Sequence, residues 1–112
     1  MKRNAHGFFG FWGYMQLEQN RREIDEIDAK LLGLLDQRAK IVREIGEIKL
    51  RAGIPIFDWQ REAEIITRAA RNNPGGLSNA ALARIYRAIL RESRQIQKEL
   101  AATTDTNGAV HS

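Results

Sequence analysis

Between Leu17 and Arg51 the chain has no proline and only two glycines, Gly33 and Gly46. Over the same span Ile24, Ile27, Leu31, Leu34, Leu35, Ile41, Val42, Ile45 and Ile48 recur at the spacing of one helical face. The pattern predicts one helix over 17–51, roughly 50 Å long at 1.5 Å per residue, where globular helices average only ~11 residues. An apolar stripe of that length needs a partner along all of it. A chain of 112 residues has room for one small core, which is marginal unless another chain adds buried surface, so oligomerisation is expected from length alone. Ala52-Gly53-Ile54-Pro55 ends the helix, because glycine supplies a C-terminal cap and proline cannot continue the hydrogen-bond ladder.

Asp58 is the expected N-cap of a second helix running to about Arg71, with Trp59, Ala63, Ile66 and Ala70 on one face. Asn72-Asn73-Pro74-Gly75-Gly76 makes a turn. Ser78 then opens a third helix through about Leu100, with Leu77 before it as a staple residue and a stripe of Leu82, Ile85, Tyr86, Ile89, Ile96 and Leu100. Residues 1–16 have no such period. Five of the eight aromatics lie between Phe8 and Tyr14, separated by glycines, and the segment is expected to be a disordered leader, an upstream start with Met15 as the true one, or a sticky contact surface. The expected organisation is therefore a leader over 1–16, an all-α domain over 17–101 and a disordered tail over 102–112.

The chain has no cysteine, and its two histidines, His6 and His111, lie near the ends, so neither a disulfide framework nor a metal site is expected. No apolar run approaches the roughly 20 residues of a membrane span. Lys2 and Arg3 precede the aromatic run, but glycines interrupt it and no small-residue cleavage site follows, which argues for a cytoplasmic protein. A formal charge of +4 and a pI near 9.9 suit an anionic partner. Charge alone does not say whether that partner is nucleic acid, a membrane surface or a small di-acid.

The positions of the charges are more telling. On a helical wheel the first helix's stripe covers about 120°, and Arg38 and Lys49 fall inside it. Arg22, Lys40, Arg43 and Arg51 project away from it. The same test puts Glu62 on the buried face of the second helix, Ser93 in mid-stripe on the third, and Gln97 at that stripe's edge. One inward arginine commonly snorkels or finds a salt bridge, and one inward serine or glutamine commonly bonds backbone. Five inward polar groups from three helices, however, describe a polar cavity whose excess positive charge suits a small di-anion. Arg21 flanks the same stripe about 25 Å from Arg38 along the helix. It is either a surface charge beside Glu18 and Asp25, or, if two long helices pair antiparallel, a residue that enters the other chain's cavity and makes two composite sites per dimer.

The segment Arg21-Arg22-Glu23-Ile24-Asp25-Glu26-Ile27-Asp28, followed by Leu31-Leu32-Gly33-Leu34-Leu35 and Arg38, resembles the opening helix of the all-helical, bacterial-type chorismate mutase family. Ile45-Gly46-Glu47-Ile48-Lys49 resembles its lysine-bearing segment, and Pro55-Ile56-Phe57-Asp58-Trp59-Gln60-Arg61-Glu62 its loop and second-helix entry. The likeness covers about residues 17–100. It implies three helices per chain, one very long, in an intertwined antiparallel homodimer that converts chorismate to prephenate for phenylalanine and tyrosine synthesis, with no cofactor. It further implies that Arg38 and the other chain's Arg21 hold the two carboxylates. Lys49 and Gln97 would bond the ether oxygen, Glu62 and the backbone at Asp58 the ring hydroxyl, and Ser93 a carboxylate. Arg61 matches a supporting site arginine, although the wheel sets it near the polar side.

Two relatives of this activity compete. An isochorismate pyruvate lyase resembles the same fold, but that family typically has an apolar residue where Glu62 stands. A mutase-like regulatory module that binds a larger shikimate-pathway enzyme is also compatible with the basic surface or the aromatic leader. From another class, a basic helical nucleic-acid binder could use Arg22, Lys40, Arg43 and Arg51, yet it gives no reason for five polar groups to point inward. Neither nucleic acid nor a membrane is therefore expected as a partner.

Overall fold

The structure, a computed structural model, describes the backbone of residues 2–111 and the side chains of residues 10–104. It contains three α-helices, α1 (Lys2–Ala52), α2 (Trp59–Arg71) and α3 (Asn79–His111), and no strand among the described residues. The chain divides into two units, Met1–Gln37 and Arg38–Ser112. No helix among the described residues is long and apolar enough to cross a membrane.

In the first unit every described side chain, from 10 to 37, is exposed. The side-chain bonds are local. Gln16 Nε2 donates to Asn20 Oδ1 at 3.0 Å, Arg22 Nη2 to Gln19 Oε1 at 2.8 Å, and Arg21 Nη1 to Glu18 Oε1 at 3.3 Å. These are the i,i+3 and i,i+4 pairs that support a helix from its own surface, each contributing only a few tenths of a kcal/mol. The helix has no break at residue 17. Residues 10–16, expected to form an irregular leader, share its backbone, because Gly10 and Gly13 weaken a helix by ~1 kcal/mol each without forbidding it and no proline intervenes. The rest of that expected leader lies outside the described side chains.

The second unit holds the last turns of α1 together with α2 and α3. α1 ends on the expected glycine: Gly53 takes φ +67° and the Ile54 amide donates to the Lys49 carbonyl at 2.9 Å, a Schellman closure that satisfies an otherwise orphaned carbonyl. Asp58 caps α2 as expected, its Oδ1 accepting from the Arg61 amide at 3.0 Å. Ser78 opens α3, its Oγ accepting from the Ala81 amide at 3.0 Å. Between α2 and α3, Asn73 organises the turn. Its Nδ2 donates to the Leu77 carbonyl and Asn79 Oδ1, and its Oδ1 accepts from the Gly75 amide, all at 2.8 Å, while Gly75 takes φ +105°.

The apolar side chains that this unit buries are few, Val42 at 7% exposure and Leu90 at 4% among the described residues. Trp59, assigned to the apolar face of α2, is 69% exposed. α3 continues past Leu100 without interruption. Residues 102–104, expected in the tail, are helical, and Thr103 Oγ1 donates back to the Glu99 carbonyl at 2.9 Å. The expectation for the tail's remaining residues falls outside the described side chains.

The Ser78 cap is a local, testable element. Ser78→Ala should lower unfolding free energy by about 1 kcal/mol, and Ser78→Gly by only a few tenths, read by urea denaturation at fixed protein concentration.

Candidate active site

A cavity of about 330 Å³ opens within the second unit where the C-terminal turns of α1, the 56–58 loop, α2 and α3 meet. Its apolar lining is Ile45, Ile56, Ile65 and Leu90, and its polar lining is Arg38, Lys49, Asp58, Arg61, Glu62, Ser93, Arg94 and Gln97. Four cations thus face two carboxylates. In a recess with apolar walls such an excess attracts a di-anion more strongly than the same charges in bulk water.

Helix geometry explains how the polar groups converge. Arg38, Val42, Gly46 and Lys49 are spaced by three or four residues along α1 and share one face, as Ser93 and Gln97 do on α3. The closest approach is at Gly46, which is buried. A β-carbon there would stand 3.0 Å from Gln97 Cγ and 3.2 Å from Leu100 Cδ2, so the missing side chain is what lets α3 come this near.

Gln97 is the buried polar residue of the site, at 6% exposure. Its Nε2 donates to the Val42 carbonyl at 3.1 Å, and its Oε1 receives a long contact of 3.5 Å from Lys49 Nζ. An amide nitrogen carries two hydrogens, so one remains to donate toward the cavity. Lys49 Nζ is anchored by the Ile56 carbonyl at 2.9 Å, which holds the ammonium at the cavity wall. Arg38 Nη1 donates to Ser93 Oγ, whose own hydrogen goes to the Ile89 carbonyl at 2.9 Å, so the hydroxyl orients the guanidinium from behind. No buried side-chain nitrogen or oxygen among the described residues lacks a hydrogen-bond partner. The cavity is polar but satisfied, as a stable preformed site must be.

Of the residues singled out from sequence, Arg38, Lys49, Glu62, Ser93 and Gln97 are half-buried or buried and line this one cavity, whereas Arg22, Lys40, Arg43 and Arg51 are exposed. Asp58 and Arg61 also line it but are exposed, and Arg61 Nη1 lies 3.6 Å from Glu64 Oε2. Arg21 belongs to the first unit, where its guanidinium pairs with Glu18. Two contributors escape a reading of the sequence. The Ile56 carbonyl is a backbone group, invisible to any residue pattern. Arg94, which pairs with Glu62 through Nη1 and Oε1, lies off the α3 stripe read from the sequence, but it follows the buried, cavity-lining Leu90 by four residues and so shares its side of the helix. No three His, Cys, Asp or Glu side chains among the described residues gather in a way that could hold a metal ion.

Residues 20–98 match the family model for chorismate mutase type II. The chain is 39% identical over 89 residues to a bifunctional chorismate mutase/prephenate dehydratase of Aquifex aeolicus, a match that covers 76% of this chain and 25% of that protein. It is 30% identical over 90 residues to a chorismate mutase of Methanocaldococcus jannaschii, covering 80% of this chain and 91% of that one. Among solved structures, form II of a chorismate mutase from Thermus thermophilus superposes with a TM-score of 0.73 at 26% identity, over 74% of this chain and 94% of that chain. The chain thus spans only about a quarter of the length of the Aquifex relative and nearly all of the archaeal one.

The contact at Gly46 generates a paired prediction. Overpacking against the anchored Gln97 costs about 1–3 kcal/mol, which exceeds the ~1 kcal/mol helix propensity gained from alanine, so Gly46→Ala should be net destabilising. Gly33 lies on the same helix, with nothing within 4 Å of the point where a β-carbon would stand. It should instead gain up to about 1 kcal/mol as alanine. Urea denaturation of the two variants side by side checks both signs.

Proposed function

Because the chain belongs to the type II chorismate mutase family, we propose that it catalyses the cofactor-free rearrangement of chorismate to prephenate in aromatic amino-acid synthesis. The observation that carries this is the meeting of Arg38, Lys49, Glu62, Ser93 and Gln97 around one cavity with more positive than negative groups. Chorismate is a di-acid with a ring hydroxyl and an ether oxygen, and that donor set offers a complement to each. Glu62 also favours chorismate over isochorismate as substrate, since it presents an acceptor for the ring hydroxyl.

The reaction is an intramolecular Claisen rearrangement. A carbon–oxygen bond breaks as a carbon–carbon bond forms within one molecule, so the enzyme supplies no nucleophile and no general acid or base. Its contribution is geometry and electrostatics. Arg38, oriented by Ser93, binds one carboxylate through its guanidinium fork. The enolpyruvyl chain is thereby held over the ring in a near-attack arrangement. As the carbon–oxygen bond lengthens, negative charge grows on the ether oxygen. Lys49, anchored by Ile56, and the second amide hydrogen of Gln97 are fixed donors for that charge, and fixed donors need no reorganisation at the moment of reaction. The Glu62 carboxylate and the Asp58 backbone take the ring hydroxyl, with Arg61 supporting them.

The second carboxylate is assigned to Arg21 of another copy of the chain. Two physical facts support an antiparallel homodimer of this kind. The α1 residues Ile24, Ile27, Leu31 and Leu34 are all exposed, a stripe that costs free energy in water and that an identical stripe would cover. Arg21 lies on the same helix, engaged only by a solvent-exposed glutamate that contributes little to hold it there. We place the mutase unit at 17–101, within the cytoplasm; a contact with a larger enzyme of the same pathway would use surfaces other than the cavity.

Two kinetic outcomes are expected. Lys49→Ala should lower kcat by about 100-fold or more while changing KM far less, because its interaction strengthens in the transition state. Equal losses in both constants would contradict that role. Arg21→Ala and Lys49→Ala should each retain no more than about a hundredth of wild-type turnover alone, yet mixing them should restore about a quarter of it. Half of the random dimers are then mixed, and each mixed dimer has one intact site. No recovery on mixing would place Arg21 outside the site.

A further inference from the structure

We propose that Arg94, braced on the ring of Phe57, is the positioning residue that fixes the Glu62 carboxylate for the substrate's ring hydroxyl. This rests on the chorismate assignment above and adds a residue to it. Arg94 follows the buried Leu90 by four residues on α3, and its side chain is only 25% exposed and its partner Glu62 only 20%. The guanidinium carbon lies 5.1 Å from the centre of the Phe57 ring, within the range of a cation–π contact, while Nη1 donates to Glu62 Oε1. A loop residue, an α3 residue and an α2 residue are thereby linked in series, with the carboxylate at the cavity end.

The other cations of the cavity explain why this link matters. Arg38 is engaged by Ser93, Lys49 by the Ile56 carbonyl and Gln97, and Arg61 lies beside Glu64. Arg94 is the cation on Glu62. A carboxylate in a recess with Arg38 and Lys49 would, without a partner of its own, be drawn toward one of them and occupy a donor meant for the substrate. With Oε1 held by Arg94, Oε2 stays available as an acceptor. A hydroxyl bonded there feels almost the same field in ground and transition states, because the charge that develops is on the ether oxygen. Loss of the link should therefore weaken binding and spare turnover, unlike loss of Lys49.

The test is a double-mutant cycle on chorismate turnover with the full chain, with thermal melts to establish folding. Arg94→Leu should raise KM by about 10-fold and lower kcat by less than about 3-fold. Arg94→Lys, which keeps the charge but loses the planar fork, should recover part of the KM change. In a Glu62→Gln background Arg94→Leu should have almost no further effect, since its action passes through the carboxylate. If Arg94→Leu does not fold, Phe57→Leu, which removes only the brace, should give a smaller KM increase that also vanishes in the Glu62→Gln background. An undiminished effect in that background would assign Arg94 to the substrate itself and overturn the proposal, as would an unchanged KM. Absence of turnover by the unsubstituted chain would instead sink the mutase assignment beneath it.

Discussion

The amide of Gln97 is the contact on which the second unit's architecture turns. A polar side chain with only 6% of its surface exposed stays inside a helical interface only if its nitrogen and its oxygen each find a partner. Here one hydrogen goes to the carbonyl of Val42, a residue in mid-helix whose oxygen has a second lone pair to share, and the oxygen faces Lys49. That bond can form only where α1 and α3 approach closely, and Gly46 removes the atom that would keep them apart. The same proximity brings Ser93, one turn earlier on α3, to Arg38, two turns before Gly46 on α1. One tight crossing therefore sets the positions of four of the cavity's polar residues. The short α2 has only to supply the remaining wall and the carboxylate of Glu62.

A cavity with four cations and two carboxylates is under internal repulsion, and the way each cation is held shows how the fold tolerates it. Arg38 leans on a hydroxyl, Lys49 on a backbone carbonyl, and Arg94 on a carboxylate and an aromatic face. Arg61 lies beside Glu64, so two of the four cations are ion-paired while Arg38 and Lys49 rest on neutral dipoles, and it is the field of those two that survives for a ligand. Glu62 is the lining carboxylate committed to a cation, and it is also the group whose proposed task is to accept a hydrogen bond. A carboxylate already held by a donor can still do that through its other oxygen.

How much of this is legible in the sequence depends on whether a residue's direction follows from its backbone. Arg38, Lys49, Glu62, Ser93 and Gln97 can be placed inward by helical period alone, since on a regular helix the Cα–Cβ vector decides which face a side chain serves. The caps at Gly53, Asp58 and Ser78 are equally legible, because each depends on local chemistry at a chain reversal. Arg94 is not, because the apolar stripe read from the sequence stops short of it, whereas the buried face of α3 also takes in Leu90, four residues before Arg94. Trp59 too departs from its wheel position, being exposed where the period sets it on the apolar face. Nor can the start of α1 be read from period. Residues 10–16 have none and are helical nonetheless, since a helix already nucleated can be extended by residues that would not begin one.

The small number of buried apolar side chains among the described residues follows from the same design. A face of α1 given to Arg38 and Lys49, and a face of α3 given to Ser93 and Gln97, cannot also be filled with leucine and isoleucine. The interior that remains to the second unit is small, and much of the chain's apolar surface stays on α1, from Leu17 through Ile48, in contact with water. Taking a fully exposed side chain of this kind to full burial is worth about 1.5–3 kcal/mol, and these are roughly half exposed, so each retains about half of that to contribute to an association that covers it. In the proposed dimer that stabilisation and the chemistry share one element, because Arg21 lies on the helix whose apolar face drives pairing. In that proposal the polar cavity that leaves a chain short of core is the reason for the second chain, and Arg21 of the second chain is the cation assigned to the remaining carboxylate.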